Sequence, residues 1–596
     1  MCSIIGYNGG AHAATVLVES LGRMEYRGYD SVGVATITNG KILVRKGVGK
    51  VAEVSKSLDL KEMPGFIGIG HTRWATHGRV TDSNAHPHSA CTNDIVVVHN
   101  GIIENYKELK QELALLGHTF RSETDSEVIA HLLEHYYYSS QRDVKQTMIE
   151  TSRRLRGGFA FVAMFEQGII SGARVDEPLI IGVLSNNNST DYVGYFISSD
   201  ILGFLKHTDK AIFLDNRDIA IIDEEKLDLF DFDGSPIKRP ITQVAWELAA
   251  AEKGSYAHHT LKEIHEQKST IFDALSNQDE RIIGFCNYIT EAKSLYITGS
   301  GTSYHSALIL KYILARFAKI RAETIMSSEF QYALDPIDNH SALIAISQSG
   351  ETADVMQSAK AAKQMGAKIL SILNIPTSSL ARLSDSVLNL SCGPEIGVAA
   401  TKSFTSQLSI LYDITDRLCG NCIGIKSSKH DLKTAVNEVL SGEREISEIA
   451  NSIDKVMDIY ILGRSLHYPI ALEGALKIKE LAYVHAEGIA AGELKHGPLA
   501  LIDKNTVVIV INPLDATYHD TISNAQEIKA RGAVIVGISD KKDDVYDHYI
   551  KLPKVRDPLF PIIEVIPLQL LAYYLAVKKN VDPDYPRNLA KSVTVK

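Results

Sequence analysis

The second residue of the chain, Cys2, carries a thiol directly behind the initiator methionine. Cysteine is small enough for that methionine to be removed, and Cys2 would then bear a free α-amine. Such an amine is roughly 10–20% neutral at pH 7, whereas a lysine amine is less than about 0.1% neutral. A processed Cys2 therefore has a nucleophile and a general base on one residue. The alternative, an incidental cysteine at a frayed terminus, stays open on position alone.

The run VVVHNGIIEN contains the second feature that acyl transfer needs, a set of donors for an oxyanion. Asn100 and Gly101 follow a predicted strand and present a side-chain amide and a backbone N–H in a tight turn. Asn-Gly is also a common β-hairpin turn, so this motif is weak when taken alone.

Two charged residues predict a pocket for an amino acid. Arg73 can hold an α-carboxylate with two hydrogen bonds, and Asp125, at the start of a predicted helix, can hold an α-ammonium. Histidines crowd the same region without paired cysteines, an HExxH motif or a nearby acidic ligand, so we expect no metal there. They are His71, His77, His86, His88 and His99.

Hydroxyl side chains follow two predicted strands in the second half of the chain. Both groups open a helix, where backbone N–H groups and the helix dipole favour an anion. Helix capping explains either group alone, but two such groups after adjacent strands favour a phosphate site. The run ITGSGTSY lacks the third glycine of a dinucleotide fingerprint, which disfavours such a cofactor. The hydroxyl residues are Ser300, Thr302, Ser303, Ser347, Ser349 and Thr352.

A largely apolar helix in the run PIALEGALKIKELAYVHAEG carries Glu473, Lys477 and Glu480 on one face. A solvated ladder of ion pairs is the usual meaning of this spacing. Because the rest of the helix is apolar, we expect its charged face to meet a cleft or an interface. His496 follows in GELKHGPLALID, and Lys591 lies in a turn-rich tail that could reach a site.

The elements that position these residues differ between two halves. Up to about residue 240, short β-rich runs alternate with Gly and Asn turns, and helices are expected near 104–117 and 125–138. Thr124-x-x-Glu127 predicts a capping box at the second helix. This pattern predicts packed antiparallel sheets with helices outside them. The turn-rich run DFDGSPIKRPITQ marks the boundary.

The second half alternates apolar strands with amphipathic helices, which predicts parallel sheets. It is also duplicated. SLYITGSGTS is matched by DIYILGRSLH at an offset of 164, which separates Gly299 from Gly463, and GAKILSILN is matched by GAVIVGISD at an offset of 166. We therefore predict two related doubly wound α/β domains with ligands at the carboxyl ends of their strands.

Composition limits the classes of function. The 596 residues carry a net charge of −10, which argues against a broad nucleic-acid surface. We expect no apolar run to reach the roughly 20 residues of a membrane span. Six cysteines are too few for a disulfide framework, so a reducing, cytoplasmic location is expected. Cys419-x-x-Cys422 lacks a second pair, so no zinc site is expected there either.

Five ordered motifs of the first half resemble the class II glutamine amidotransferase family. They are Cys2, EYRGYDS, HTRWATHG, VVHNGIIEN and ETDSEVIAHL. The resemblance implies an α+β N-terminal-nucleophile fold of αββα layers that hydrolyses glutamine. It implies Cys2 as nucleophile and Asn100 with Gly101 as oxyanion hole. The implied glutamine-binding residues are Arg73, Trp74, Thr76, His77 and Asp125.

The second half resembles tandem sugar-isomerase (SIS) domains in SQSGETAD, ALEGALKIKE, GELKHGPLALID and the tail PRNLAKSVTV. Joined to a glutaminase, they imply an enzyme that makes glucosamine 6-phosphate and glutamate from fructose 6-phosphate and glutamine. The resemblance implies a homodimer that needs no metal or organic cofactor. It implies no nucleic-acid partner and no membrane association. Ser300 and Ala400 depart from the family pattern, in which cysteine and serine are usual.

The resemblance also implies roles and boundaries in the second half. Lys591 would form an imine with the ketose, Glu480 would move a proton between sugar carbons, and His496 would assist ring opening. The implied sugar-phosphate residues are Thr302, Ser303, Ser347, Gln348, Ser349, Thr352, Val398 and Lys477. The expected domains are a glutaminase at 1–235, a linker at 236–250, SIS domains at 283–422 and 452–586, and a tail at 587–596 that enters the sugar site.

Overall fold

The structure is a computed structural model, which describes residues 2–75, 77–185, 192–224, 226–244, 252–276 and 278–594. The chain forms two compact units. Unit 1 comprises Met1–Ala250 together with Ser592–Lys596, and unit 2 comprises Ala251–Lys591. Much of the expected linker, residues 245–250, lies outside the described residues.

Unit 1 contains two antiparallel sheets, one of eight strands in the order β14-β11-β9-β10-β1-β4-β2-β3 and one of six in the order β13-β12-β8-β7-β6-β5. The strands are β1 (Ser3–Gly9), β2 (Ser31–Thr38), β3 (Lys41–Val48), β4 (Ile67–Arg73), β5 (His88–Ser89), β6 (Ile95–Gly101), β7 (Phe159–Phe165), β8 (Ile170–Val175), β9 (Ile180–Ser185), β10 (Tyr192–Ser198), β11 (Lys210–Phe213), β12 (Asp218–Asp223), β13 (Lys226–Asp231) and β14 (Thr242–Gln243).

Helices cover the outer faces of the two sheets in unit 1, which gives the expected αββα layers. Helix α1 packs on β1 and β4, whereas α4 and α5 lie on the six-stranded sheet. The helices are α1 (Ala13–Met24), α2 (Val51–Ser57), α3 (Tyr106–Leu115), α4 (Glu127–Ser139) and α5 (Val144–Arg154).

Strand β6 shows how the sequence builds these layers. Its side chains alternate between faces, because successive residues of a strand point to opposite sides. Ile95 and Val97 enter the core under the helices, whereas Val96 and Val98 enter the core between the sheets. The alternation continues into the functional residues at the end of this strand.

The expected capping box at α4 is wrong. The residue before the helix is Ser126, which makes no side-chain cap. Glu127 instead accepts hydrogen bonds from the backbone N–H groups of Arg121 and Ser122, each at 2.7 Å. Thr124 bonds His88 and Ser122 through its hydroxyl. A competing set of donors in the preceding loop thus captures the carboxylate that the motif would have used.

Unit 2 contains two five-stranded parallel sheets of identical topology, β16-β15-β17-β18-β19 and β21-β20-β22-β23-β24. This confirms the predicted duplication and the α/β fold class. The strands are β15 (Ser294–Gly299), β16 (Glu323–Met326), β17 (Ser341–Ser347), β18 (Lys368–Leu373), β19 (Ser386–Asn389), β20 (Asp458–Gly463), β21 (His485–Ala490), β22 (Val507–Ile511), β23 (Val534–Ser539) and β24 (His548–Lys551).

Most helices of unit 2 share one apolar core with one face of each sheet, and a separate apolar cluster covers the other face of each sheet. The helices of unit 2 are α6 (His259–Asp273), α7 (Asp279–Glu291), α8 (Thr302–Ile313), α9 (Ala353–Gln364), α10 (Ser379–Leu383), α11 (Lys402–Leu418), α12 (Lys429–Ser441), α13 (Glu443–Ser452), α14 (His467–Ala482), α15 (Tyr518–Lys529) and α16 (Phe560–Lys578).

Helix α16 corrects the expectation that no apolar segment reaches the length of a membrane span. The segment Asp557–Lys578 is long and apolar enough by length and composition, with a mean hydropathy of 1.7. However, 89% of that window is buried inside the protein. The helix packs against α13 and α14, so its apolar surface is used in the core of unit 2.

Cys419 and Cys422 form a disulfide in unit 2, which was not expected from the small number of cysteines. Cys2, Cys91, Cys286 and Cys392 are free thiols.

Candidate functional site

Cys2 lies immediately before β1 and lines a cavity in unit 1. Its Sγ atom accepts a hydrogen bond from the Trp74 backbone N–H at 3.2 Å and lies 3.5 Å from the Trp74 carbonyl oxygen. Burial raises the pKa of the Cys2 thiol, although the Trp74 N–H and the Arg73 charge oppose that rise. The thiol therefore needs a base before it can attack a carbonyl carbon.

The end of β6 places Asn100 beside Cys2. The Asn100 amide donates to the Cys2 carbonyl oxygen at 3.1 Å. His71 Nε2 lies 3.3 Å from Asn100 Oδ1 and 3.0 Å from the His99 carbonyl oxygen. Burial lowers the pKa of His71 to about 3, so the ring is neutral and its Nε2–H can donate to these oxygens. His71 thereby fixes the orientation of the Asn100 amide.

Gly101 occupies a position that only glycine fits. Its φ angle is +105°, and a Cβ atom there would lie 2.1 Å from the Gly158 carbonyl oxygen. The residue ends β6 and lines the same cavity as Cys2 and Asn100. The structure thus brings together the three residues that the sequence assigned to acyl transfer.

Arg73 and Asp125 are both buried and line the cavity. The Arg73 guanidinium donates to the carbonyl oxygens of His77 and of Arg79, the latter at 3.1 Å. Asp125 accepts a hydrogen bond from the Ile103 N–H at 2.8 Å. The two charged groups required for an amino-acid ligand therefore share one pocket. Trp74 and His77 also line it, whereas Thr76 lies outside the described residues.

The cavity is small, with a volume of about 30 Å³. The Arg73 guanidinium already donates to backbone carbonyl oxygens, so a carboxylate ligand would have to take their place. Thr594 of unit 1 also lines this cavity and donates to Glu177 at 2.9 Å.

The histidines of this region hold Asp125 in place. His88 Nε2 lies 3.1 Å from the Thr124 hydroxyl oxygen, and His99 Nδ1 lies 2.8 Å from the Ser126 hydroxyl oxygen. Thr124 and Ser126 flank Asp125 in the chain. Burial lowers the pKa of His99 to about 4 and that of His88 well below its usual value. These neutral rings anchor both neighbours of the carboxylate.

Sequence reasoning assigned no role to an ion pair beside Cys2. Arg27 donates through Nε to the Cys2 carbonyl oxygen at 3.3 Å and lies 3.0 Å from Asp200. Tyr26 donates to the same carboxylate at 2.5 Å. The motif EYRGYDS contains Tyr26 and Arg27, but Asp200 follows more than 170 residues later and carried no local signal.

Unit 2 places the hydroxyl residues at the carboxyl ends of adjacent parallel strands, β15 and β17. Thr302 and Ser303 form the first turn of α8, and Ser303 Oγ accepts from the Gln407 amide at 3.0 Å. Ser347 ends β17, and its Oγ lies 3.3 Å from that of Thr352, which precedes α9. Both loops therefore combine hydroxyl groups with the start of a helix.

The remaining residues of the second predicted loop are close to these hydroxyls. Ser349 is buried and Gln348 half-buried. Ser300 is one of the two departures from the family pattern. Its hydroxyl oxygen lies 2.5 Å from the hydroxyl oxygen of Ser327. Val398 is buried, and its N–H donates to the Asp584 carbonyl oxygen at 3.3 Å.

Lys477 is fully buried on α14 between two carboxylates. Its Nζ lies 2.6 Å from Glu480 and 3.4 Å from Glu473, and it donates to the Thr302 hydroxyl at 3.1 Å. Burial alone lowers the pKa of Lys477, but the charges of Glu473 and Glu480 raise it above its ordinary value. The charged face of this helix therefore meets the first hydroxyl loop rather than solvent.

Lys591 is held by a partner that the sequence did not indicate. Its Nζ donates to Glu395 at 2.5 Å and to the Gly397 carbonyl oxygen at 2.7 Å. Burial alone raises the pKa of Glu395. The Lys591 charge and the N–H groups of Ser403 and Thr401 outweigh this effect and lower the pKa to about 2. Glu395 is thus a buried carboxylate that holds the tail lysine.

His496 does not join the other residues proposed for sugar chemistry. It ends the 3-10 helix Ala491–His496 and is exposed. Within the part of the chain that the structure describes, no hydrogen bond or ion pair joins His496 to Glu480 or Lys477.

Comparisons with known proteins agree with the division into halves. The family model described as a SIS domain matches residues 288–414 and 452–579, and the one described as a glutamine amidotransferase domain matches residues 71–176. The solved C-terminal domain of glucosamine-fructose-6-phosphate aminotransferase from Francisella tularensis is 34% identical, with a TM-score of 0.52. The match covers 56% of this chain and 99% of that one.

Curated relatives match the whole chain. Glutamine–fructose-6-phosphate aminotransferase (isomerizing) from Pyrococcus horikoshii is 46% identical over 606 aligned residues, which cover 100% of both chains. The protein of the same name from Aquifex aeolicus is 43% identical over 603 residues, again with 100% of both chains covered.

Proposed function

Because the chain belongs to the glutamine–fructose-6-phosphate aminotransferase (isomerizing) family, we propose that it converts fructose 6-phosphate and glutamine to glucosamine 6-phosphate and glutamate. The observation that carries this proposal is the 46% identity to a relative of that name over the whole of both chains. The glutaminase and the sugar-isomerase domains are therefore matched together, in one chain, rather than one at a time.

We propose that unit 1 hydrolyses the carboxamide of glutamine. After removal of Met1, the α-amine of Cys2 takes the thiol proton, and Sγ attacks the amide carbon. The oxyanion that forms accepts hydrogen bonds from the Asn100 amide and the Gly101 N–H. Ammonia leaves with the transferred proton, and water then releases glutamate from the thioester.

Substrate orientation in unit 1 follows from the buried charges. The Arg73 guanidinium would hold the α-carboxylate and Asp125 the α-ammonium. The anchoring of Thr124 and Ser126 by His88 and His99 supports this role, since it fixes Asp125 from both sides. We propose Trp74, Thr76 and His77 as further glutamine-binding residues.

In unit 2 the phosphate would lie at the two hydroxyl loops, where backbone N–H groups at helix starts favour an anion. The proposed binding residues are Thr302, Ser303, Ser347, Gln348, Ser349, Thr352, Val398 and Lys477. Lys477 donates to Thr302 and pairs with Glu480, so it links the phosphate loop to the proposed proton carrier.

The amino transfer in unit 2 would begin at the sugar ketone. Lys591 loses a proton, leaves Glu395 and forms an imine at the second carbon of the open-chain sugar, with loss of water. Ammonia displaces Lys591 from that carbon. Glu480 then takes a proton from the first carbon and returns it to the second, while the proton of the first-carbon hydroxyl passes to the imine nitrogen. The product is the aldose with its amino group. We propose that His496 assists ring opening.

We also propose a homodimer. His496 is exposed and makes no described contact with Glu480, so a second copy is a natural route by which it reaches a sugar site. The test mixes two inactive variants, His496→Gln and Glu480→Gln. A dimer with shared sites regains part of the activity on mixing, because one of the mixed sites has both residues intact. A monomer by sedimentation, or no recovery after subunit exchange, contradicts the proposal.

The experiment for the reaction incubates the purified chain with glutamine and fructose 6-phosphate and measures all products by mass spectrometry. We expect glucosamine 6-phosphate and glutamate in equal amounts. If glutamate forms without amino sugar, the chain acts as a glutaminase and the proposed function is wrong. If the sugar is isomerised without formation of glutamate, the chain acts as a sugar isomerase and the proposal is also wrong.

A further inference from the structure

Four side chains with metal-binding atoms converge in unit 1, away from the Cys2 cavity. They are Cys91, His118, His131 and Glu134. One ligand atom from each lies within 4.8 Å of all the others. None of these residues has a role in the proposed reaction, and the sequence analysis did not group them.

The distances within the cluster suit one tetrahedral metal ion. Cys91 Sγ lies 3.6 Å from His131 Nδ1 and 3.9 Å from His118 Nδ1. Glu134 Oε2 lies 2.9 Å from His118 Nδ1 and 3.8 Å from His131 Nδ1. Ligands around tetrahedral zinc, with bonds of about 2.0 to 2.3 Å, are separated by about 3.3 to 3.6 Å. A central ion therefore fits with shifts of a few tenths of an ångström.

Three of the four ligands also contact a group outside the cluster. Glu134 Oε1 accepts hydrogen bonds from the Thr92 N–H and hydroxyl, both at 2.8 Å, which leaves Oε2 for the cluster. The Cys91 sulfur accepts the Thr119 N–H at 3.4 Å. His131 turns its other nitrogen, Nε2, toward Glu127 at 3.5 Å. Such outer partners orient metal-binding histidines and carboxylates.

The donor set and its charge favour Zn²⁺. One thiolate, two imidazoles and one carboxylate are ligands that zinc accepts. The thiolate and carboxylate together neutralise the two positive charges of the ion, so the complex is neutral where it is buried. His131 and Glu134 are buried, while Cys91 and His118 are only partly so, which leaves a route for the ion.

We propose that Cys91, His118, His131 and Glu134 form a structural zinc site. This differs from the expectation, implied by the family resemblance, that no metal is needed, and it involves other residues than the histidines near Cys2. The ligands come from three places: the turn between β5 and β6, the connection between α3 and α4, and α4 itself. The ion ties that connection to the sheet and helix, and the connection leads directly to Asp125. With all four positions filled by protein, the site stabilises the fold and does not act on substrate.

The test measures zinc bound to the full chain, purified without an affinity tag and dialysed, by mass spectrometry of the metal. We expect about one zinc per chain. Cys91→Ser and His118→Gln should each lower the zinc content at least tenfold. His135→Gln is the matched control: its ring centroid lies 6.2 Å from that of His118, and the residue is outside the cluster. It should keep the metal.

A second measurement uses the unsubstituted chain, so it does not depend on whether the variants fold. Replacement of zinc by Co²⁺ in the unsubstituted chain should give the intense visible bands of a tetrahedral thiolate site, and a chelator should abolish them and lower Tm. Less than a tenth of an ion per chain after growth and refolding with zinc, together with no cobalt spectrum, would overturn the proposal. The cluster would then be a hydrogen-bonded network only. Neither readout depends on the proposed enzymatic reaction.

Discussion

The Nζ atom of Lys591 lies 2.5 Å from Oε2 of Glu395, a carboxylate that is fully buried and located 196 residues earlier in the chain. The Lys591 amine also donates to the Gly397 carbonyl oxygen at 2.7 Å, so two acceptors hold its nitrogen. In the proposed mechanism, Lys591 leaves Glu395 when the sugar binds.

The first prediction concerns Lys591. Lys591→Arg should abolish amino-sugar synthesis as completely as Lys591→Ala, because a guanidinium stays protonated and forms no imine. Borohydride added with fructose 6-phosphate should label Lys591 in the unsubstituted chain and neither variant. The exposed Lys578→Arg is the control and should keep both activity and labelling. Near-normal synthesis by Lys591→Arg would show that the residue is only a charge partner for the phosphate.

A second prediction concerns the partner carboxylate. Glu395→Gln keeps an oxygen for the N–H groups of Thr401 and Ser403 but removes the negative charge beside Lys591. Loss of that charge breaks the buried ion pair that holds the tail lysine, so borohydride labelling of Lys591 and amino-sugar synthesis should both fall about tenfold or more. The measurement is the labelled fraction of Lys591 by peptide mass spectrometry, together with the rate of amino-sugar synthesis. Labelling and synthesis equal to those of the unsubstituted chain would mean that Glu395 does not position Lys591.

The glutaminase prediction separates the two activities. Cys2→Ala should lower glutamine hydrolysis by at least about 1,000-fold, because the nucleophile is lost. Isomerisation of fructose 6-phosphate should continue, since its proposed residues lie in unit 2. Lys591→Ala is the reciprocal control and should keep basal hydrolysis of glutamine. Intact mass should also show that Met1 is absent. Full activity in a chain that retains Met1 would contradict the α-amine mechanism.

The fourth prediction is a pH dependence of stability. Burial lowers the pKa of His71 to about 3, from an ordinary value of 6.5, so the unfolded chain binds this proton more readily. The stability that the neutral ring gives is present above pH 6.5 and is lost as the pH falls toward 3. The slope is at most about 1.4 kcal/mol per pH unit for this histidine. Thermal unfolding of unit 1, followed between pH 7 and pH 4, should show it.

His71→Gln is the matched variant for that measurement. Glutamine can still donate to the Asn100 and His99 oxygens but does not titrate. The variant should lose less stability than the unsubstituted chain as the pH falls over this range. Equal losses would show that other groups, such as His99, account for the acid sensitivity.

Several features of the site were readable from sequence because their signals are local. Asn100 and Gly101 follow a short apolar run that predicted a strand, and the Asn-Gly pair indicated a tight turn. The duplicated strands of unit 2 have nearly constant offsets, which predicted two sheets of the same order. In each case, neighbouring residues carry the information.

The features that sequence reasoning missed depend on long-range contacts. Glu395 meets Lys591, and Asp200 meets Arg27, only because the chain folds back over more than 170 residues. The zinc ligands lie at four positions between 91 and 134, of which only His131-x-x-Glu134 has a helical spacing. The predicted capping box is absent because Glu127 accepts hydrogen bonds from the N–H groups of Arg121 and Ser122 in the preceding loop.

The central step of the proposed reaction is the transfer of nitrogen from the glutamine side chain to the sugar. The most direct measurement supplies glutamine labelled with ¹⁵N in its amide, fructose 6-phosphate and an excess of unlabelled ammonium. We predict glucosamine 6-phosphate that carries the ¹⁵N label, with equal labelled product and glutamate, and no labelled product from the Cys2→Ala variant. Amino sugar that carries only unlabelled nitrogen, or no amino sugar at all, would contradict the account.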